Sequence, residues 1–291
     1  MTMQGKTVLV TGATNGIGEV TALELARMGA HVVLVSRSAE RCQASVDKIR
    51  TATGSSAVEY IAADLSELAG VHQAAEEFLA RHQALDVLVN NAGAYFNERR
   101  LSRNGYEMTF ALNHLSYFLL THLLLDALHA AGSVNGEARI VNVSSDAHKV
   151  GALNFDDMLR REKKYSGFGV YGESKLMNVM FTYALARRLE NSTVTANVLH
   201  PGFVRTGFGR NNGGLLNTVF GFLQIFALTP EQGAETNIHL ASSPEVKGIS
   251  GQYFTKKRAV ESSSASYDRA AQERLWQLST EITGVGQPAL A

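Results

Sequence analysis

Thr7-Val-Leu-Val-Thr11-Gly12-Ala-Thr14-Asn15-Gly16-Ile17-Gly18 decides the fold. Its opening residues are β-branched or aliphatic and predict a buried strand. The glycines predict a tight turn, and the apolar periodicity over 16–28 predicts a helix. Glycine lets the chain turn sharply and brings backbone N–H groups against an anion at the positive end of the helix that follows. A glycine-rich turn alone is also an ordinary loop. Its place between a strand and a helix at the start of the chain points instead to a pyrophosphate cradle made by Gly12, Thr14, Asn15, Gly16, Ile17 and Gly18.

Outward from this unit, short β-branched runs at 7–10, 31–35, 59–62, 86–89, 138–143 and 193–199 alternate with helical patterns. The helical patterns cover 16–28, 39–51, 66–82, 102–130 and 171–189, and Thr229-Pro230-Glu231 opens another with a cap and an N1 proline. The strand runs are almost wholly apolar, as expected of strands covered on both faces. The expected fold is therefore α/β: a doubly wound, Rossmann-like parallel sheet with helices on both faces, one domain over 1–291. In such sheets ligands lie beyond the carboxyl ends of the strands, so residues directly after each strand are the candidates for chemistry.

Composition narrows the function. Twenty-seven basic residues balance 27 acidic ones, with pI about 7.1, so there is no basic field to collect nucleic acid or anionic lipid. Cys42 is the single cysteine and cannot form an internal disulfide. With no basic region leading into a long apolar segment at the N-terminus, neither a signal peptide nor a transmembrane anchor is expected, and the location expected is cytoplasmic. His114, His122, His129, His148 and His200 show no His-Glu-x-x-His spacing, so no metal is expected.

The second strand ends at Ser36-Arg37, where an NAD site usually places an acid on the ribose hydroxyl. A guanidinium there favours a 2′-phosphate, hence NADP(H). The third strand ends in Asp64-Leu65, with Asp64 placed either to accept from an adenine amino group or to cap the next helix. The fourth ends in Asn90-Asn91-Ala92-Gly93, where Asn91, Ala92 and Gly93 can set backbone against ribose or form a plain polar turn.

Tyr171-Gly-Glu-Ser-Lys175 sets a phenol and an ammonium four residues apart, on one face of the predicted helix. A phenol titrates at about 10, and a cation held against it favours phenolate. Upstream, strand five runs Arg139-Ile-Val-Asn142-Val-Ser144-Ser145. Downstream, strand six closes in His200-Pro201-Gly202-Phe-Val204-Arg-Thr206.

Taken in order, TGATNGIG, Asp64, NNAG, Asn113, a serine after strand five, YxxxK and the Pro-Gly turn resemble the short-chain dehydrogenase/reductase superfamily, from about Lys6 to Phe254. The resemblance implies Tyr171 as general acid in carbonyl reduction and base in alcohol oxidation. It implies Lys175 as the group that lowers the phenol pKa and binds the nicotinamide ribose. Ser145, with Ser144 as the alternative, would hydrogen-bond the substrate oxygen. Asn113 would steady a water-linked proton path to the lysine. Pro201, Gly202, Val204 and Thr206 would meet the cofactor, Thr206 at the nicotinamide carboxamide.

From Ser145 to Tyr171 is 26 positions, about twice the superfamily's usual spacing. That insert, with Leu240-Ala-Ser-Ser-Pro244 and Gly251-Gln-Tyr-Phe254, resembles the retinol dehydrogenase-like branch. The expected reaction is hydride transfer between NADP(H) and a small lipophilic alcohol or carbonyl compound. Two other readings stand beside it: an NADP(H)-sensing or interaction module without turnover, and a nucleotide-sugar epimerase. A segment about 203–229 is expected to cover the substrate; its Leu- and Phe-rich part, 215–228, reads as a lipophilic lid, a subunit interface or core, or a shallow membrane contact. The resemblance further implies a homodimer or tetramer.

Overall fold

The computed structural model describes residues 2–157, 164–204 and 228–286. Its sheet is built from β1 (Thr7–Thr11), β2 (His31–Ser36), β3 (Val58–Ala62), β4 (Val87–Asn90), β5 (Ala138–Val143), β6 (Val194–His200), β7 (Tyr253–Thr255) and β8 (Arg258–Val260). The spatial order is β3-β2-β1-β4-β5-β6-β7-β8. The first seven run parallel, and β8 folds back antiparallel on β7. Strand order reverses between β1 and β4, which opens a crevice at their carboxyl ends.

The helices are α1 (Gly16–Arg27), α2 (Ala39–Thr53), α3 (Leu68–Leu79), α4 (Met108–Leu123), α5 (Leu125–Asn135), α6 (Gly167–Arg188), α7 (Pro230–Ser242) and α8 (Arg269–Thr283). Side chains alternate across the sheet, so Val8 and Val10 enter one core with Leu25, Ile49 and Leu240, under α1, α2 and α7. Leu9 enters the other with Phe78, Phe118 and Phe181, under α3, α4 and α6. Each such fully buried side chain contributes roughly 1.5–3 kcal/mol, and burial on both faces accounts for the unbroken apolar strand runs. Between β4 and β5 the core is polar: the Asn90 amide donates to Asn142 Oδ1 at 2.9 Å and to Thr121 Oγ1 at 3.0 Å.

Several boundaries differ from the sequence expectation. Helix α4 begins at Met108 rather than 102, because Ser102 N–H bonds Tyr106 C=O at 2.8 Å and the Glu107 carboxylate caps Phe110 N–H at 2.8 Å. It carries a π-turn at Ala111–Leu115 and meets α5 at a 56° bend. Helix α3 starts at Leu68, because Asp64 Oδ1 takes both the N–H (3.1 Å) and the hydroxyl (2.8 Å) of Ser66. The cap expected at Thr229 is present and extends to a reciprocal box: its hydroxyl accepts from Gln232 N–H at 3.3 Å, and Gln232 Oε1 accepts from Thr229 N–H at 3.0 Å. Among the described residues no single helix is long and apolar enough to cross a membrane.

Candidate active site

Helix α6 places Tyr171 and Lys175 one turn apart beside the end of β5. Lys175 is 3% exposed, and its Nζ donates to Val143 C=O at 3.1 Å. The same Nζ stands 5.6 Å from the centre of the Tyr171 ring and 5.9 Å from that of Tyr117. Burial pushes the lysine down to about 7. It pushes the Tyr171 phenol up to about 12, against a hydrogen bond with Ser145 that favours phenolate. Desolvation thus disfavours charge on both partners, and the phenol of the free protein is protonated at neutral pH.

The two serines after β5 separate cleanly. Ser145 meets the phenol, whereas Ser144 is buried and donates to Lys175 C=O at 2.7 Å. Ser144 fastens strand to helix. His148 is fully buried: its Nδ1 hydrogen-bonds Ser145 C=O at 2.7 Å and its Nε2 accepts from Ser263 N–H at 3.0 Å. The ring is therefore held neutral with the proton on Nδ1, and burial lowers its pKa. His200 accepts from Asp146 N–H through Nδ1 at 3.2 Å, which ties the end of β6 to the same turn.

Asn113 lies in the π-turn, a local distortion that recurs at functional sites. Its amide donates to Ala94 C=O and to Ser174 Oγ, both at 3.0 Å, and accepts from Ala94 N–H at 2.9 Å. Ser174 Oγ in turn donates to Tyr171 C=O at 2.7 Å. Asn113 thereby joins the Gly93 turn to the catalytic helix. A Cβ on Gly93 would lie 3.3 Å from Asn113 Oδ1 and 3.5 Å from Lys175 Nζ, so this turn passes directly over the lysine.

At the switch-point crevice, Gly12 and Gly16 have φ of 65° and 55°, and a Cβ on Gly18 would meet Gly12 C=O at 2.4 Å. Asn15 stands at the N-cap of α1 without a side-chain cap bond, which leaves that helix end open to an anion. Asn91 Nδ2 donates to Thr11 C=O at 2.8 Å, and Thr11 Oγ1 accepts from the N–H groups of Asn91 and Ala92 at 2.8 and 3.0 Å. Thr11, the first residue of TGATNGIG, thus fixes the NNAG turn through its hydroxyl. Thr14 and Ser36 hydroxyls lie 3.1 Å apart beside exposed Arg37, which makes no ion pair among the described residues. These residues fit a dinucleotide: a cradle only glycine can form, an uncapped helix end and an uncommitted guanidinium.

The remaining expected contacts divide. Leu65 is buried in the core and offers only its backbone, and Asp64 spends one oxygen on Ser66. Gly202 has φ of 89°. The Ile17 and Val204 side chains meet at Gly233, where a Cβ would lie 3.2 and 2.5 Å from them. Thr206, and all of the expected cover at 215–228 except Leu228, lie outside the described residues. Tyr95 carries no motif in the sequence, yet its ring meets that of Tyr171 edge-on at 6.1 Å.

A sequence model of the short chain dehydrogenase family matches residues 6–213. The chain belongs to that family. Among its relatives, retinol dehydrogenase 14 of Homo sapiens is 41% identical over 97% of this chain and 88% of its own length. Polyprenol dehydrogenase of Homo sapiens is 40% identical over 96% and 86%. Among solved structures, a protein from Mycobacterium Paratuberculosis matches with TM-score 0.78, 31% identity, 97% of this chain and 95% of that one. A short chain dehydrogenase from Burkholderia cenocepacia, in complex with NADP, matches with TM-score 0.68, 28% identity, 88% of this chain and 97% of that one. The protein is an oxidoreductase of the retinol dehydrogenase-like branch.

Proposed function

We propose that the protein is an NADP(H)-dependent oxidoreductase acting on a lipophilic alcohol or carbonyl compound. The observation that carries this reading is the Ser145–Tyr171 hydrogen bond above buried Lys175, at the same sheet edge as the glycine turn. When bound, the nicotinamide donates or accepts the hydride; the chain supplies orientation and the proton. In reduction, Ser145 and the Tyr171 phenol hydrogen-bond the carbonyl oxygen. The phenol proton moves to that oxygen as it gains charge, and the phenolate left behind draws the Lys175 ammonium into play. In oxidation the phenol first gives its proton to solvent and then, as phenolate, takes the hydroxyl proton of the alcohol while the hydride leaves the carbon that bears this hydroxyl. Asn113 acts through Ala94 and Ser174, holding the Gly93 turn and α6 in register.

Gly12, Thr14, Asn15, Gly16, Ile17, Gly18, Asn91, Ala92 and Gly93 would hold the dinucleotide, and Arg37 its 2′-phosphate. Support for a lipophilic substrate comes from the names of the relatives, retinol and polyprenol dehydrogenases, from exposed Phe203, and from the Leu- and Phe-rich sequence that follows it over 215–228. A cytoplasmic location belongs to the same reading, with buried, free Cys42 in keeping with a reducing compartment.

The test is an NADPH-oxidation screen over aldehydes and ketones graded by chain length and polarity, run in parallel with NADH. Turnover that increases with chain length and prefers NADPH is the expected result. Binding of NADPH without turnover of any compound would overturn it in favour of a sensing module.

A further inference from the structure

At the opposite edge of the sheet from Tyr171 lies a second cluster of chemical groups. His31 opens β2 and Glu59 is the second residue of β3, where it pairs with Val33. Alternation therefore puts His31 and Glu59 on the same face of neighbouring strands. His82 arrives from the turn after α3, held by its N–H on Phe78 C=O at 2.8 Å. Both imidazole Nε2 atoms converge on one carboxylate oxygen, Glu59 Oε1, that of His31 at 3.0 Å and that of His82 in closer contact. One ligand atom from each of the three residues lies within 4.8 Å of the others.

We propose that His31, Glu59 and His82 form a binding site for a divalent transition metal of the zinc class. Two imidazoles and a carboxylate are a donor set that zinc accepts, with water in the remaining position of its tetrahedron. The side chains are 38%, 26% and 14% exposed, so the site is held by the fold yet open to solvent on one side. Arg81 Nη1 reaches Glu59 Oε2 at 3.3 Å and so orients the carboxylate while leaving Oε1 to the ion. Partial burial opposes the charge on Glu59, but the His82 hydrogen bond, with Arg81 and His31, overcomes it and holds the carboxyl below its usual range. Binding displaces the proton from each Nε2 and moves it to Nδ1 or solvent.

The metal would join the edge strand β3, its neighbour β2 and the end of α3. Since parallel strands separate their amino and carboxyl ends, it takes no part in chemistry at Tyr171. The site departs from the sequence expectation of no metal. Its ligands are 28 and 23 residues apart, beyond the reach of any local spacing rule.

The experiment is calorimetric titration of the tag-free, chelator-dialysed full chain with zinc, with cobalt as a spectroscopic probe. Expected are one equivalent of zinc, a melting temperature that rises with zinc, and the intense visible bands of tetrahedral cobalt. His31→Ala and His82→Ala each weaken zinc binding by more than about 10- to 100-fold, the cost of losing only an outer-shell partner. Glu59→Gln, close in shape, serves as the third variant should either alanine variant fail to fold, and it too binds more weakly. No saturable uptake, uptake unchanged in the variants, or octahedral cobalt spectra would each overturn the proposal.

Discussion

The hydroxyl of Ser144 donates to the main-chain carbonyl of Lys175 at 2.7 Å, which stitches β5 to α6 one residue before the serine that meets Tyr171. Of these neighbouring hydroxyls only that of Ser145 meets the phenol, and substitution separates the two by their effect on turnover. Ser145→Ala is expected to lower kcat/KM by about 100-fold, the scale of one oxyanion hydrogen bond, and also to release the Ala147 N–H that its hydroxyl accepts at 3.2 Å. Ser144→Ala is expected to retain most turnover while losing about 1 kcal/mol of stability. Steady-state kinetics and thermal denaturation of both variants check the division.

Tyr171→Phe removes the transferable proton and the hydrogen bond with Ser145, while the ring can keep its contact with Tyr95. Turnover is expected to fall by about 10²- to 10⁴-fold, the range of general acid–base catalysis, while the dissociation constant for NADPH stays within error. Wild-type activity in this variant would sink the proton-transfer role.

Arg37 is exposed and carries no ion pair among the described residues, so Arg37→Ala leaves no unpaired partner inside the protein. A lost charge-assisted hydrogen bond of about 1.5–3 kcal/mol corresponds to a roughly ten- to hundred-fold weaker NADPH complex. Affinity for NADH is expected to hold. Fluorescence titration with both cofactors checks the difference, and equal losses for the two would show that Arg37 does not read the 2′-phosphate.

Lys175 binds its proton more weakly folded, at about 7, than unfolded, near 10.5. Between these values the unfolded chain holds more protons, so this residue makes stability rise with pH from about 7 to 10.5; its penalty is full below 7. The shift corresponds to about 5 kcal/mol at 1.36 kcal/mol per unit, reduced by the hydrogen bond to Val143. Lys175→Met is therefore expected to be inactive yet more stable at pH 6 by roughly 3 kcal/mol. The gain shrinks toward pH 10. Urea denaturation of both proteins across this range gives the curve.

The strands and the glycine turn were legible because their information is local: an alternating core on both faces demands unbroken apolar runs, and positive φ at Gly12 and Gly16 demands glycine. Tyr171, Lys175 and Asn113 were legible as positions. What stayed hidden depends on distance or on small size. The bend after Leu123 and the π-turn at Asn113 lie within a predominantly apolar stretch that reads as one helix. Strands β7 and β8 have three residues each, too few for a period to show. The choice between Ser144 and Ser145 needed the position of the Lys175 carbonyl, and His148 needed Ser263, 115 residues away.

Helix α6 is buried without a break over 174–185, and this has a consequence for how the protein accommodates a substrate. Backbone amides there have no local route to solvent, so they should exchange hydrogen for deuterium only when the whole structure opens. Lys175 lies within this slowest-exchanging stretch, and Tyr171 one turn before it. The proton-transfer pair is an anvil. Adjustment to substrates of different length falls to the segments around it, and deuterium uptake on ligand binding should change in those segments while α6 stays silent.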